Sequence, residues 1–151
     1  MIKKNKQFIS SLFLAGIFNL IQINIFNIDL TPDFILLTLI FWLFKTPNNI
    51  SISTFWVVGL STDVFMGDLM GQYALTYACC YFIAEYFMRR ILINNKNQQL
   101  FYVFLIFLSA QIILLIINLI HNVRYPGLSY FFQSISAALI WHAFSKSKFF
   151  K

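Results

Sequence analysis

Between Leu100 and Ile120 the chain runs through FYVFLIFLSAQIILLIINL without one charged side chain. A helix of about 20 apolar residues matches the ~30 Å hydrocarbon layer of a bilayer, so this stretch reads as a membrane-crossing helix. It is the fifth of six apolar stretches. The others are Phe8–Ile28, about Pro32–Phe44, about Ser51–Met66, about Gln72–Met88 and about Leu128–Ser145. Only the first and fifth reach full spanning length. The second, third and fourth are short and must tilt little, borrow flanking residues or sit where the bilayer thins. Only 11% of the 151 residues are charged, against about a quarter in soluble domains. Too little polar surface exists to cover a globule in water. The reading is an all-α integral membrane protein, one domain over residues 1–151 with six short transmembrane helices. Phe8–Ile28 is longer than a signal-peptide core and lacks a small-x-small cleavage site after it, so it is read as a retained helix.

Between the stretches lie breaking signals. Thr31-Pro32-Asp33 reads as a helix start, with Thr31 as N-cap, Pro32 in the first position and Asp33 in the first turn. Pro47-Asn48-Asn49 is a turn, and Ser51 or Ser53 can cap the third helix. The polar hexamer from Asn94 to Gln99 cannot sit in hydrocarbon, and Tyr125-Pro126-Gly127 separates the last two stretches.

The charges that remain set an orientation. If the N-terminus is cytoplasmic and every stretch spans, the inner side holds Lys3, Lys4, Lys6, Lys45, Arg89, Arg90, Lys96, Lys146, Lys148 and Lys151. The outer side holds only Arg124 among the 11 basic residues. Asp29, Asp33, Asp63 and Asp68 fall at or near the outer side. The net charge of +6 is split among clusters separated by apolar stretches, which argues against a nucleic-acid-binding face. Cys79 and Cys80 are adjacent and read as small apolar helix residues.

Glycine and aspartate spacing is the most specific local signal. Gly59, Asp63 and Gly67 recur every four residues and share a helix face, with Gly71 after them. Small residues at such spacing let another helix approach closely, and the acid among them needs a cap, water or a basic partner. Glu85 and Arg89 are one turn apart and read as a local ion pair. Asn19, Gln22, Asn24, Gln111 and Asn118 are buried-polar candidates that knit helices together. The tyrosines and tryptophans, Tyr77 and Trp141 among them, read as an interfacial belt. No catalytic motif, metal-ligand spacing or cofactor signature is present, and His121 and His142 fall at opposite ends.

Two motifs and the layout carry a family likeness: Pro32-Asp33 followed by an apolar run ending in Phe41-Trp42, and Gly59, Asp63, Gly67 and Gly71 leading into Ala74-Leu75. In these the chain resembles the rod shape-determining membrane proteins of the MreD family. The resemblance implies a non-catalytic scaffold or regulatory subunit of the bacterial elongation (Rod) complex. It implies association with an MreC-like bitopic partner and, through it, with MreB, the glycosyltransferase RodA and a class B penicillin-binding protein. It also implies a fold like the substrate-binding subunits of energy-coupling-factor transporters. On this reading Gly59, Asp63, Gly67, Gly71, Pro32 and Asp33 form a partner or packing face. Two other readings stand beside it. A small-molecule-binding transporter subunit needs a pocket open outward and lined by polar groups such as Asp33, Asp63 or Asn118, and the sequence shows no evident cluster of convergent charged or amide groups. An enzyme acting on lipid-linked precursors would rest on Asp63 and Asp68.

Overall fold

The computed structural model describes residues 2–20, 24–25, 28–29, 31–66, 69–90, 96–121 and 128–146. Six helices follow one another: α1 (Ile2–Asn19), α2 (Phe34–Lys45), α3 (Ile52–Met66), α4 (Gln72–Arg90), α5 (Lys96–Ile120) and α6 (Phe132–Lys146). Short 3-10 turns precede α3 (Pro47–Asn49) and α6 (Leu128–Phe131).

The first apolar stretch is not one helix to Ile28. α1 begins earlier, at Ile2, and stops at Asn19. Beyond it Asn24–Ile25 (β1) and Ile28–Asp29 (β2) pair antiparallel, Asn24 opposite Asp29 and Ile25 opposite Ile28. Hydropathy marked the whole segment as apolar, but apolarity alone does not separate a helix from a hairpin. At the other boundaries α5 takes in Lys96–Gln99 of the polar hexamer, and α6 follows a 3-10 turn rather than starting at Leu128.

At the centre lies α2. Leu36, Leu39, Ile40 and Leu43 are almost wholly buried, with Leu37 and Trp42 close behind. Aromatic contacts tie it to its neighbours. Trp42 meets Phe8 of α1 edge-on at 5.7 Å, and its indole N–H donates to Ser11 Oγ at 2.9 Å. Phe41 and Phe44 both meet Trp141 of α6. The helix closes where Thr46 donates its N–H to the Trp42 carbonyl, just before Pro47. Around this core α3 pairs with α4 through Phe55 and Tyr81. α4 pairs with α5 through Phe87 and Tyr102. Tyr77, Trp42 and Trp141 are buried here, not spread in an interfacial belt, whereas Trp56 and Tyr86 are about half exposed.

The outside is apolar too. Phe13, Leu20, Val64, Phe65, Phe82, Ile120 and Leu139 are all more than half exposed. A surface of that kind is costly in water and ordinary against lipid. In α5 the segment Gln98–Ile120, 23 residues, is long and apolar enough to cross a membrane, while α2 and α3 are shorter apolar helices. At 1.5 Å per residue, the 25 residues of α5 reach ~37 Å and the 12 of α2 only ~18 Å.

Candidate functional site

Asn19, Asp33, Met66, Tyr73, Leu114 and Tyr130, each in or beside a different helix, gather around one cavity. Two carboxylates organise this end of the bundle.

Asp63 lies on α3, one turn after Gly59 and on the same face. Gly59 is where α4 comes closest. A Cβ built there would stand 2.5 Å from Ala74 Cα and 2.8 Å from both Ala74 N and the Tyr73 carbonyl oxygen. Only glycine admits that approach. It brings the start of α4 within reach of the Asp63 carboxylate, which accepts the N–H of Gly71 (3.0 Å), Tyr73 (2.8 Å) and Ala74 (3.3 Å). Gln72 N–H turns instead to the Leu69 carbonyl at 3.2 Å. The four donors that every helix N-terminus leaves over are thus satisfied, and the negative charge lies where the helix dipole favours it. Gly71 adopts φ +96°, a conformation that L side chains rarely take. Asp63 is 2% exposed. The Gly59–Asp63 stripe, expected as a partner or packing face, is turned onto α4 of the same chain. Gly67 and Asp68 lie outside the described residues.

Asp33, not Thr31, is the N-cap of α2, and the helix starts at Phe34 rather than Pro32. The Asp33 side chain accepts Ile35 and Leu36 N–H on Oδ1 at 3.0 and 3.1 Å. Asn19, at the end of α1, completes the cap: its Oδ1 takes Phe34 N–H at 2.8 Å and its Nδ2 donates to Asp33 Oδ1 at 3.2 Å. From α4, the Tyr77 hydroxyl donates to Asp33 Oδ2. One carboxylate therefore joins three helices.

Beside this knot is a cavity of about 220 Å³. Asp33, Tyr73, Tyr77, Gln111, Tyr130 and Gln133 supply most of its polar wall, and Pro32, Leu36 and Phe107 some of the apolar one. Gln111 is 4% exposed, and its Oε1 has no hydrogen-bond partner among the described residues. Polar groups thus converge here, from α1, α2, α4, α5 and α6, where the sequence displayed no such cluster. Asn19 and Gln111 were recognisable as polar residues in apolar runs. Tyr77, Tyr130 and Gln133 carried no signal of their own, because helix packing alone brings them to this wall.

Elsewhere Arg89 pairs with Glu85 at 2.5 Å on the surface of α4, as the one-turn spacing implied. His121 and His142 are exposed and far apart in the chain. Cys79 and Cys80 are free thiols.

Comparison with known proteins gives a consistent picture. The family model described as rod shape-determining protein MreD matches residues 2–147. A rod shape-determining protein MreD of Haemophilus influenzae is 28% identical over 94 residues, which cover 62% of this chain and 58% of that protein. The match therefore spans little more than half the length of that curated relative. No solved structure matches.

Proposed function

The chain belongs to the MreD family of rod shape-determining proteins, and from that premise we propose that it is a membrane scaffold of the cell-elongation machinery. In this reading all six helices form one multi-pass domain in the cytoplasmic membrane, with both termini inside. The fold is then of the kind used by substrate-binding subunits of energy-coupling-factor transporters. The protein holds the single helix of an MreC-like partner and, through it, connects to MreB, RodA and a class B penicillin-binding protein. It performs no chemistry of its own.

The observation that carries the reading is the family match across residues 2–147, set on a helical bundle whose outside is apolar on most helices. Asp63, one of the two acids an enzyme reading would need, already receives three backbone N–H groups. Gly59, Asp63 and Gly71 join α3 to α4, and Pro32 and Asp33 belong to the start of α2. We read these five residues as internal framework, so the partner helix docks on an outer face.

The test is a mild-detergent pull-down of the tagged chain from its own host. Recovery of an MreC-like protein together with the wall synthase is the expected outcome. Recovery of an ATPase pair with a coupling membrane subunit overturns the scaffold reading in favour of a transporter. Reporter fusions after Lys6, Lys45, Lys96 and the C-terminus should all read cytoplasmic; a periplasmic signal at any one breaks the six-span arrangement.

A further inference from the structure

The cavity beside Asp33 has a chemistry that a scaffold does not require. Among the described residues its lining includes one carboxylate and no lysine, arginine or histidine. Asp33 forms no ion pair with any described residue, and its hydrogen-bond donors are backbone amides, the Asn19 amide and the Tyr77 hydroxyl. Three tyrosines, Tyr73, Tyr77 and Tyr130, stand on the same wall. Tyrosine rings present a negative face that attracts cations. Gln111 adds a buried carbonyl oxygen that lacks a donor.

These features sort ligand classes. An anion would meet the Asp33 carboxylate with no positive group among the described lining residues to offset it. A purely apolar guest would leave Gln111 Oε1 unsatisfied, at the cost any buried unpaired acceptor carries. A neutral polyol satisfies the amides but leaves the carboxylate without a counter-charge in a low-dielectric setting. A small ammonium compound answers these demands: positive charge for Asp33 and an N–H donor for the Gln111 carbonyl, beside tyrosines whose rings attract cations. The 220 Å³ cavity has room for the head of a small amine.

We propose that this cavity binds the ammonium group of a small primary amine, with Asp33 as counter-ion and Gln111 and Gln133 as hydrogen-bond acceptors. The amine is either a free metabolite or the headgroup of an aminophospholipid. The site is independent of the scaffold reading and stands or falls without it.

The test uses the purified full chain in phosphatidylglycerol nanodiscs, which contain no amine. Thermal unfolding is followed while ethanolamine is titrated at constant ionic strength, with ethylene glycol as the neutral counterpart. Ethanolamine should raise the unfolding midpoint saturably, and ethylene glycol should not. Asp33→Asn keeps a competent N-cap, so the protein folds, and should weaken the apparent affinity about tenfold or more. Gln111→Leu, which leaves both helix caps untouched, should also weaken it and supplies the readout should Asp33→Asn not fold. Repeating the titration in discs that contain phosphatidylethanolamine separates the sources. A midpoint already raised, with no further response to ethanolamine, identifies the lipid headgroup; an equal response in both discs identifies a soluble amine. The proposal is overturned if ethylene glycol acts as strongly as ethanolamine, if neither ethanolamine nor the aminophospholipid shifts the midpoint, or if the folded variants respond like the parent.

Discussion

The seam between α3 and α4 and the knot where α1, α2 and α4 meet lie at the same end of the bundle, and each holds a helix N-terminus with an aspartate. At the seam the acid comes from the neighbouring helix. It accepts the N–H groups of Gly71, Tyr73 and Ala74, and it is sealed from outside. At the knot the acid accepts two N–H groups of its own helix and the Asn19 amide on one oxygen and the Tyr77 hydroxyl on the other, while it remains half-buried on a cavity wall. The difference separates two roles that the same residue type can take. A carboxylate enclosed on backbone amides alone is a fastener. One shared among side chains at the edge of a cavity still has a face to offer.

Mutation can sharpen or break that contrast. The largest effect belongs to Gly59→Leu, because the new side chain would start 2.5 Å from the α4 backbone, which has no way to rotate aside. The hairpin must open, at a cost of about 3 kcal/mol or more. Unfolding of the detergent-solubilised protein should show it directly; a variant as stable as the parent would mean that the two helices are not in contact at Gly59.

Asp63→Ala comes next. It strands three N–H donors at the start of α4, and we expect a loss of about 2–3 kcal/mol in the same measurement. Asp63→Asn should retain part of the cap and fall between. Should Asp63→Ala prove harmless, the seam acid is no fastener. Gly71→Ala probes backbone alone, since nothing stands within 4 Å of the added methyl. Its φ of +96° predicts a cost of about 1–2 kcal/mol. Asp33→Asn should disturb stability least, by about 1 kcal/mol: asparagine caps helices nearly as well as aspartate, but its amide nitrogen cannot accept the Tyr77 hydroxyl. A large loss there would make the two acids equivalent and erase the contrast.

Much of the framework was readable from residue order. Pro47 broke the chain where α2 ends, and the four-residue spacing of Gly59 and Asp63 announced a shared face. What that spacing could not say was which helix lies opposite. A close-packing glycine looks the same whether the neighbour is a later part of the chain or another protein. At Thr31-Pro32-Asp33 three good N-terminal residues stood together, and the choice fell to Asp33 because Asn19 was positioned to take the remaining N–H of Phe34. Tyr77 illustrates a further limit. A tyrosine near a helix end suits a membrane interface, yet this one is 0% exposed because its hydroxyl finds a carboxylate inside. The segment after Asn19 was apolar enough for helix and formed a hairpin, since periodicity, not hydropathy, distinguishes the two.

The shortness of α2 has a consequence for biosynthesis. In the proposed membrane setting, a segment of 12 residues with an acid at its entry makes a poor independent substrate for insertion. Its start is completed by Asn19, which is made earlier, and its indole is received by Ser11 of the same preceding helix. In that setting α1 and α2 would enter the bilayer as a pair, and α2 would gain its final surroundings only once α4 and α6 have been synthesised. The most deeply enclosed helix of the protein is thus among the first made and the last to be fully housed.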